Sequence, residues 1–167
     1  MRNPTFWITS TLCVAADLAS KYWIFSWIGH YGATGKYHSV IPGFFAIRGT
    51  TNRGGIWGIG QDMHYVFAVV RVLALFIILF LLKSTRPASW LFSVGLGMVF
   101  GGALGNVWDT LVEGSVRDFL EFNLRFMMFP TFNIADSCIT VGAALLLLHY
   151  LRMGRSASRG DGAPVEV

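Results

Sequence analysis

Two aspartates, Asp118 in GSVRDFL and Asp136 in FNIAD, stand eighteen positions apart in a chain that is otherwise mostly apolar. Asp136 sits inside the start of the long apolar run FNIADSCITVGAALLLLHYL. An ionisable group inside such a run is costly, which marks it as a functional-site candidate. Two carboxylates held close cannot both ionise cheaply, so one pKa rises and the pair keeps one proton. The ionised member can then take a proton from water while the protonated member polarises a carbonyl. That is the chemistry of peptide-bond hydrolysis, and low-dielectric surroundings strengthen it. The spacing alone is a weak signal. Its alternative is a solvated loop acid at 118 and a helix-top acid at 136 that faces water. Asn133, three residues before Asp136, shares its face and can donate to its carboxylate.

Other polar groups need placing around this pair. Asp17 and Lys21, in DLASK, share a helix face at i,i+4, and opposite charges in an apolar helix cost less together than apart. They read as an internal brace in preference to a proton relay or ion site. Asn52 and Gly54 lie in NRGGIWG, which is either a tight turn pressing backbone close to a neighbour or a plain loop. In GGALGNVWD, Asn106 and Asp109 share a face at i,i+3. They are candidates to pin a loop or meet a substrate headgroup, and Asp109 is a third acid within range of the pair. Gly97, Gly101 and Gly105 recur every fourth residue beside Gly102, the signature of close helix packing. Arg71 either snorkels or pairs with an acid.

Other chemistries find no support. His30, His38 and His64 lack HExxH or any ligand spacing, so no metal is expected. There is no GxSxG motif, and Ser39, Ser115 and Ser137 have no base placed with them. Cys13 and Cys138 form no CxxC and read as small buried apolar groups. No cofactor is implied.

The elements that must position these residues are membrane spans. The charged share, 13%, is about half that of soluble domains. The net charge of +4 lies largely beside apolar runs, which suits membrane topology and anionic phospholipid and excludes nucleic acid as a partner. Four runs, at about 6–28, 65–82, 89–108 and 132–151, are each long enough to cross a core of about 30 Å as helices. The first lacks a small-x-small cleavage pattern and reads as an uncleaved span. Arg2, Lys83, Arg86, Arg152, Arg155 and Arg159 gather at one side, which the positive-inside rule makes cytoplasmic, with both termini there. Trp7, Trp23, Trp27, Trp90, Trp108 and Tyr150 lie near span ends as an aromatic belt. Two long connections then face outward, and Pro42–Gly43 before a short apolar stretch predicts a strand and a small sheet at the interface. Pro130 is expected at the first turn of span four, which would put Asp136 about 9 Å along that helix. The fold expected is an all-α membrane protein with four transmembrane helices and a small extracytoplasmic β-region. Residues 1–152 form one domain, and 153–167 a disordered cytoplasmic tail.

The motifs DLASK, NRGGIWG, GGALGNVWD, VRDF and FNIAD, in that order on four spans, resemble the lipoprotein signal peptidase (signal peptidase II) family of bacterial membrane aspartic proteases. The resemblance implies Asp118 and Asp136 as the catalytic pair and Asp17–Lys21 as a structural pair. It implies that Asn52, Gly54, Asn106, Asp109, Asn133 and Ala135 line or shape the site. It further implies a bacterial inner-membrane enzyme with its active site at the outer face. The enzyme would need no metal, would cut lipidated prolipoproteins before the diacylglyceryl-modified cysteine, and would be blocked by globomycin. The stretch 42–47 would belong to an outer sheet that cradles substrate. One departure stands out: the family usually carries Arg where this chain has Thr110, and Arg53 and Arg117 are the nearby cations that could supply that charge. The bulky Gly55-Ile56-Trp57 is a further variant. The rival readings are a small proton or ion transporter and a non-catalytic lipoprotein-binding homologue.

Overall fold

The structure is a computed structural model that describes residues 3–29, 37–54, 60, 63–84 and 89–158. Four helices, α1 (Pro4–Ile28), α2 (His64–Ser84), α3 (Trp90–Glu113) and α4 (Ile134–Ser158), are joined at one end by a sheet of β1 (Tyr37–Ile41), β2 (Phe45–Asn52) and β3 (Val116–Phe122). Among the described residues, α2, α3 and α4 are long and apolar enough to cross a membrane. Helix α1, at 25 residues, is as long, but Asp17, Lys21 and several Ser and Thr lower its hydropathy. The chain is a multi-pass membrane protein. Its exposed large side chains include Phe76, Ile77 and Phe80 on α2 and Leu147, Leu148 and Leu151 on α4, as lipid-facing surfaces require. All the expected belt aromatics are exposed. Arg2, Lys36, Arg86, Arg159, His30, the 55–57 stretch and the tail beyond 158 lie outside the described residues.

Helix α3 is the central element, packing on α4, α1 and α2. Its glycines make that possible. A Cβ on Gly97 would come 2.8 Å from the Phe6 carbonyl oxygen, and one on Gly101 2.6 Å from that of Ser10, both on α1. On the opposite side, a Cβ on Gly102 would collide with the Ala135 carbonyl of α4. Close approach on two faces is what the four-residue glycine spacing predicts. Further along, toward the end away from the sheet, Phe6, Ile78, Leu82, Phe92, Leu96 and Phe100 form an apolar core.

The sheet is antiparallel in the order β1-β2-β3. Pro42 and Gly43 do turn β1 into β2, with Gly43 at φ +71°. Sequence reasoning did not place β3, and it is the strand that carries Asp118. The two later spans also differ from expectation. Helix α3 continues five residues further, to Glu113, and α4 starts at Ile134 and runs on to Ser158. Pro130 does not open α4. The backbone at Phe132 instead pairs with Leu120 of β3, accepting from Phe119 N (3.1 Å) and Leu120 N (2.9 Å). Asp136 is therefore in the first helical turn, about 3 Å along the axis, rather than 9 Å.

Candidate active site

Helix α4 begins with a capping box. The Asn133 side-chain oxygen accepts from Asp136 N at 2.9 Å, and an Asp136 carboxylate oxygen accepts from Asn133 N at 3.3 Å. This reciprocal arrangement satisfies two backbone donors that the helix cannot. It also fixes the χ angles of Asp136. The Asn133 amide group still has donors to spare. It gives them to Asp118 Oδ1 (2.7 Å), the Arg117 carbonyl (3.2 Å) and Asn106 Oδ1 (3.1 Å). One asparagine thus holds both acids. Asn106, on α3, completes the set by donating to the other oxygen of Asp136 at 2.8 Å.

Asp118 is brought to this point by its strand. Thr50 of β2 faces Asp118 across the ladder, next to a register shift between Ile47 and Thr50. Such an irregularity re-aims side chains, and both Asp118 and its neighbour Phe119 are buried. The Thr50 hydroxyl donates to the Asp118 carbonyl (3.2 Å) and meets Thr131 (2.9 Å), tying β2, β3 and the approach to α4 together. Asn52 donates to Asp118 Oδ2 at 3.2 Å, while its own oxygen accepts from Gly54 N at 2.9 Å. The NRGG segment is therefore a turn pressed against the acid. Asp118 is 1% exposed. Burial, and then the charge of Asp136, push its pKa up to about 7, against the opposing pull of Asn52, Lys21 and Asn133.

Behind the pair lies a buried ion network. Lys21 reaches Asp17 at 2.7 Å, Asp109 at 3.2 Å and the Asn106 oxygen at 3.0 Å. Asp17 also accepts from Ala135 N at 2.9 Å, which anchors the first turn of α4 to α1. Asp109 accepts from Arg117 N (2.9 Å) and takes its guanidinium at 2.7 Å, while Glu113 lies 3.4 Å from the same guanidinium. Asp17, Lys21 and Asp109 are fully buried. Asp109 therefore pins the start of β3 and is too enclosed to meet a headgroup. The brace expected of Asp17–Lys21 extends further than the sequence reading allowed. Lys21 holds Asn106, and Asn106 holds Asp136. No signal in the sequence shows that relay, because its members come from three helices. Every residue singled out as a site candidate belongs to this one cluster. No cluster of three metal-ligating side chains occurs among the described residues.

Residues 9–152 match the family described as signal peptidase (SPase) II. The chain belongs to the signal peptidase II family. The lipoprotein signal peptidase of Symbiobacterium thermophilum is 40% identical over 119 residues, covering 71% of this chain and 78% of that one. That of Burkholderia cenocepacia is 44% identical over 129 residues, covering 75% and 76%. A bacterial membrane enzyme solved in meso at 2.3 Å superposes with a TM-score of 0.78 at 28% identity, over 98% of this chain and 96% of its own. A second, at 1.9 Å, gives 0.76 at 30% identity over 89% and 94%. The four-helix bundle with its small sheet is thus the signal peptidase II fold. Within this signal peptidase II, Thr110 is 1% exposed and donates to the Asn106 carbonyl at 3.0 Å. Its side chain is turned into its own helix. Of the two cations considered as replacements for an arginine there, Arg117 is engaged by Asp109 and Glu113, and Arg53 is exposed.

Proposed function

We infer that Asp118 and Asp136 are the catalytic pair with which this signal peptidase II, an aspartic endopeptidase of lipoprotein signal peptides, cuts its substrate. The observation that carries the reading is the shared scaffold: Asn133 bonds both carboxyl groups, and the charge of one raises the pKa of the other. Asp118 is the more buried acid, and its pKa of about 7 suits a group that carries a proton at working pH. Asp136 is only half-buried and takes the opposite role. Asp136 accepts a proton from a water held between the two acids, the hydroxide attacks the scissile carbonyl, and Asp118 donates its proton toward that oxygen. Collapse of the tetrahedral intermediate expels the amine, which leaves with a proton from the pair. Asn52, Gly54, Asn106, Asn133 and Ala135 orient the acids, and Asp17, Lys21 and Asp109 hold the elements that carry them.

The substrate class is a diacylglyceryl-modified prolipoprotein cut before its lipidated cysteine, and its acyl chains remain among membrane phospholipids. A globomycin-type inhibitor would occupy the same site. The site end faces outward from the bacterial inner membrane and both termini face the cytoplasm. Lys83 and Arg152, at the end away from the sheet, support this orientation. Residues 1–152 make the catalytic domain, with the remainder a cytoplasmic extension. A transporter would need a polar path across the bilayer, and the core of Phe6, Leu96, Phe100 and their neighbours lies beyond the acids. Asp118→Asn and Asp136→Asn are each expected to lower kcat by about 10²–10⁴-fold on a diacylglyceryl-modified peptide while still inserting. Near-normal turnover in either variant would reject the scheme.

A further inference from the structure

Arg71 is a charge that the mechanism above does not use. It lies on α2, which is otherwise apolar from Tyr65 to Leu82. Helix α2 turns a clear stripe inward: Ala68, Ile78 and Leu82 are buried, and Leu75 and Leu79 pack against the core. Arg71 sits on this stripe, three residues after Ala68 and four before Leu75, and it is half-buried. The opposite face carries Val69, Val70, Leu73, Phe76, Ile77 and Phe80, all exposed to lipid. Arg71 therefore points into the bundle and does not snorkel along its outside.

Its level matches the site. Helices α2 and α4 both start at the sheet end, since each follows a strand. Arg71 is seven residues past His64, roughly 10 Å along the axis, and Asp136 is two past Ile134, roughly 3 Å. Helical side chains lean toward the N-terminus, so the long Arg71 side chain climbs toward the acids. Asp136 and Asp118 are the acids whose charge acts on its guanidinium. Among the described residues Arg71 has no ion pair or hydrogen bond. The other buried and half-buried charges described at this end are matched already. Lys21 is shared by Asp17 and Asp109, Arg117 by Asp109 and Glu113, and Arg48 is paired with Glu121.

The charge count then has one gap. Asp17, Lys21, Asp109 and Arg117 sum to zero. The aspartate pair, holding one proton, carries one negative charge in low-dielectric surroundings. An uncompensated charge there is expensive, and so is a lone cation within a span. Each is the remedy for the other.

We propose that Arg71 is the counter-ion of the Asp118–Asp136 pair, a positioning residue that acts through space to keep one of the two acids ionised at working pH. This rests on the reading of those two acids as the catalytic pair. The groups facing the pair are Asn52 from β2, Asn133 at the α4 cap, Asn106 from α3, Lys21 from α1 and Arg71 from α2. Of these, Lys21 and Arg71 are charged, and the charge of Lys21 is already balanced within its network with Asp17, Asp109 and Arg117. Removing Arg71 withdraws the stabilisation of the anionic pair, so its proton is held more tightly and its titration moves to higher pH.

The test uses full-length protein in bilayers. The infrared carbonyl stretch of the protonated carboxyl, assigned as the band lost in Asp118→Asn, is titrated in wild type, Arg71→Met and Arg71→Lys. The pH profile of cleavage of a diacylglyceryl-modified peptide is measured in parallel. Met keeps most of the length and the apolar stem of the arginine, and Arg71→Lys, which keeps the charge, controls for any loss of fold in Arg71→Met. The expected result is an upward move of the pair's midpoint by about one pH unit in Arg71→Met. Both limbs of the kcat/KM profile move upward with it, KM changes little, and Arg71→Lys returns midpoint and profile to near wild type. A midpoint unchanged in Arg71→Met, or a shift that lysine does not reverse, overturns the proposal. If the midpoint moves as expected but wild type does not cleave, the counter-ion stands and the peptidase reading fails.

Discussion

Asn133 is the residue on which the site turns. A cap asparagine ordinarily satisfies one helix N-terminus. Here the same side chain also donates to Asp118 and Asn106, so folding of α4 and assembly of the acids are one event. The cost of that assembly is visible in Asp118. Its folded pKa of about 7 lies above the unfolded value of about 3.9. Between those values the folded protein holds a proton that the unfolded chain has released, so stability falls as pH rises through that window. Above pH 7 the penalty is complete, and below about pH 4 it is absent. Asp118→Asn removes the titrating group. It should raise stability at pH 8 by roughly 2–4 kcal/mol, with little effect at pH 4. Melting temperatures of both proteins across that range in one detergent are the check. An identical pH slope in the two would show that Asp118 titrates normally.

At the scale of elements, α3 works because it is slim on two faces. The four-residue recurrence of Gly97, Gly101 and Gly105 was legible as packing, since a helical period puts those positions in line. Which helix they would meet was not legible, because nothing local distinguishes α1 from α4 as partner. The structure sets the stripe against α1 and gives Gly102 to α4. Gly101→Leu must push Ser10 and Cys13 aside, so a loss of about 1–3 kcal/mol is expected. Gly154→Ala has open space around its new Cβ and should gain up to about 1 kcal/mol from helix propensity. Thermal melts of the two variants should move in opposite directions. Strand β3 is the element that pattern reading missed. VRDFLEF buries Val116, Asp118, Phe119 and Glu121, which follows neither a strict two-residue nor a helical period, because the irregular pairing with β2 interrupts the alternation.

Across the whole molecule, the bundle presents acids at one end and apolar core beyond them, and the sheet closes the acid end. Phe126, on the connection between β3 and α4, is 83% exposed. With the site end outward, Phe126→Cys should react with a membrane-impermeant maleimide in intact cells, while Met153→Cys should not; Cys13 and Cys138 are buried and give little background. The reverse labelling pattern would invert the proposed topology. The sequence by itself determined the class of molecule and the four long helices, and it singled out the two acids as candidates. Apolar length and a charge inside an apolar run are local properties, and the cost of charge in lipid makes them conspicuous. Only the tertiary structure decided that Asn133 bonds both acids, that Lys21 reaches Asp136 through Asn106, and that Arg71 looks inward. Those are relations between elements far apart in the chain. They depend on how helices rotate and at what depth they meet, which no spacing within one segment records.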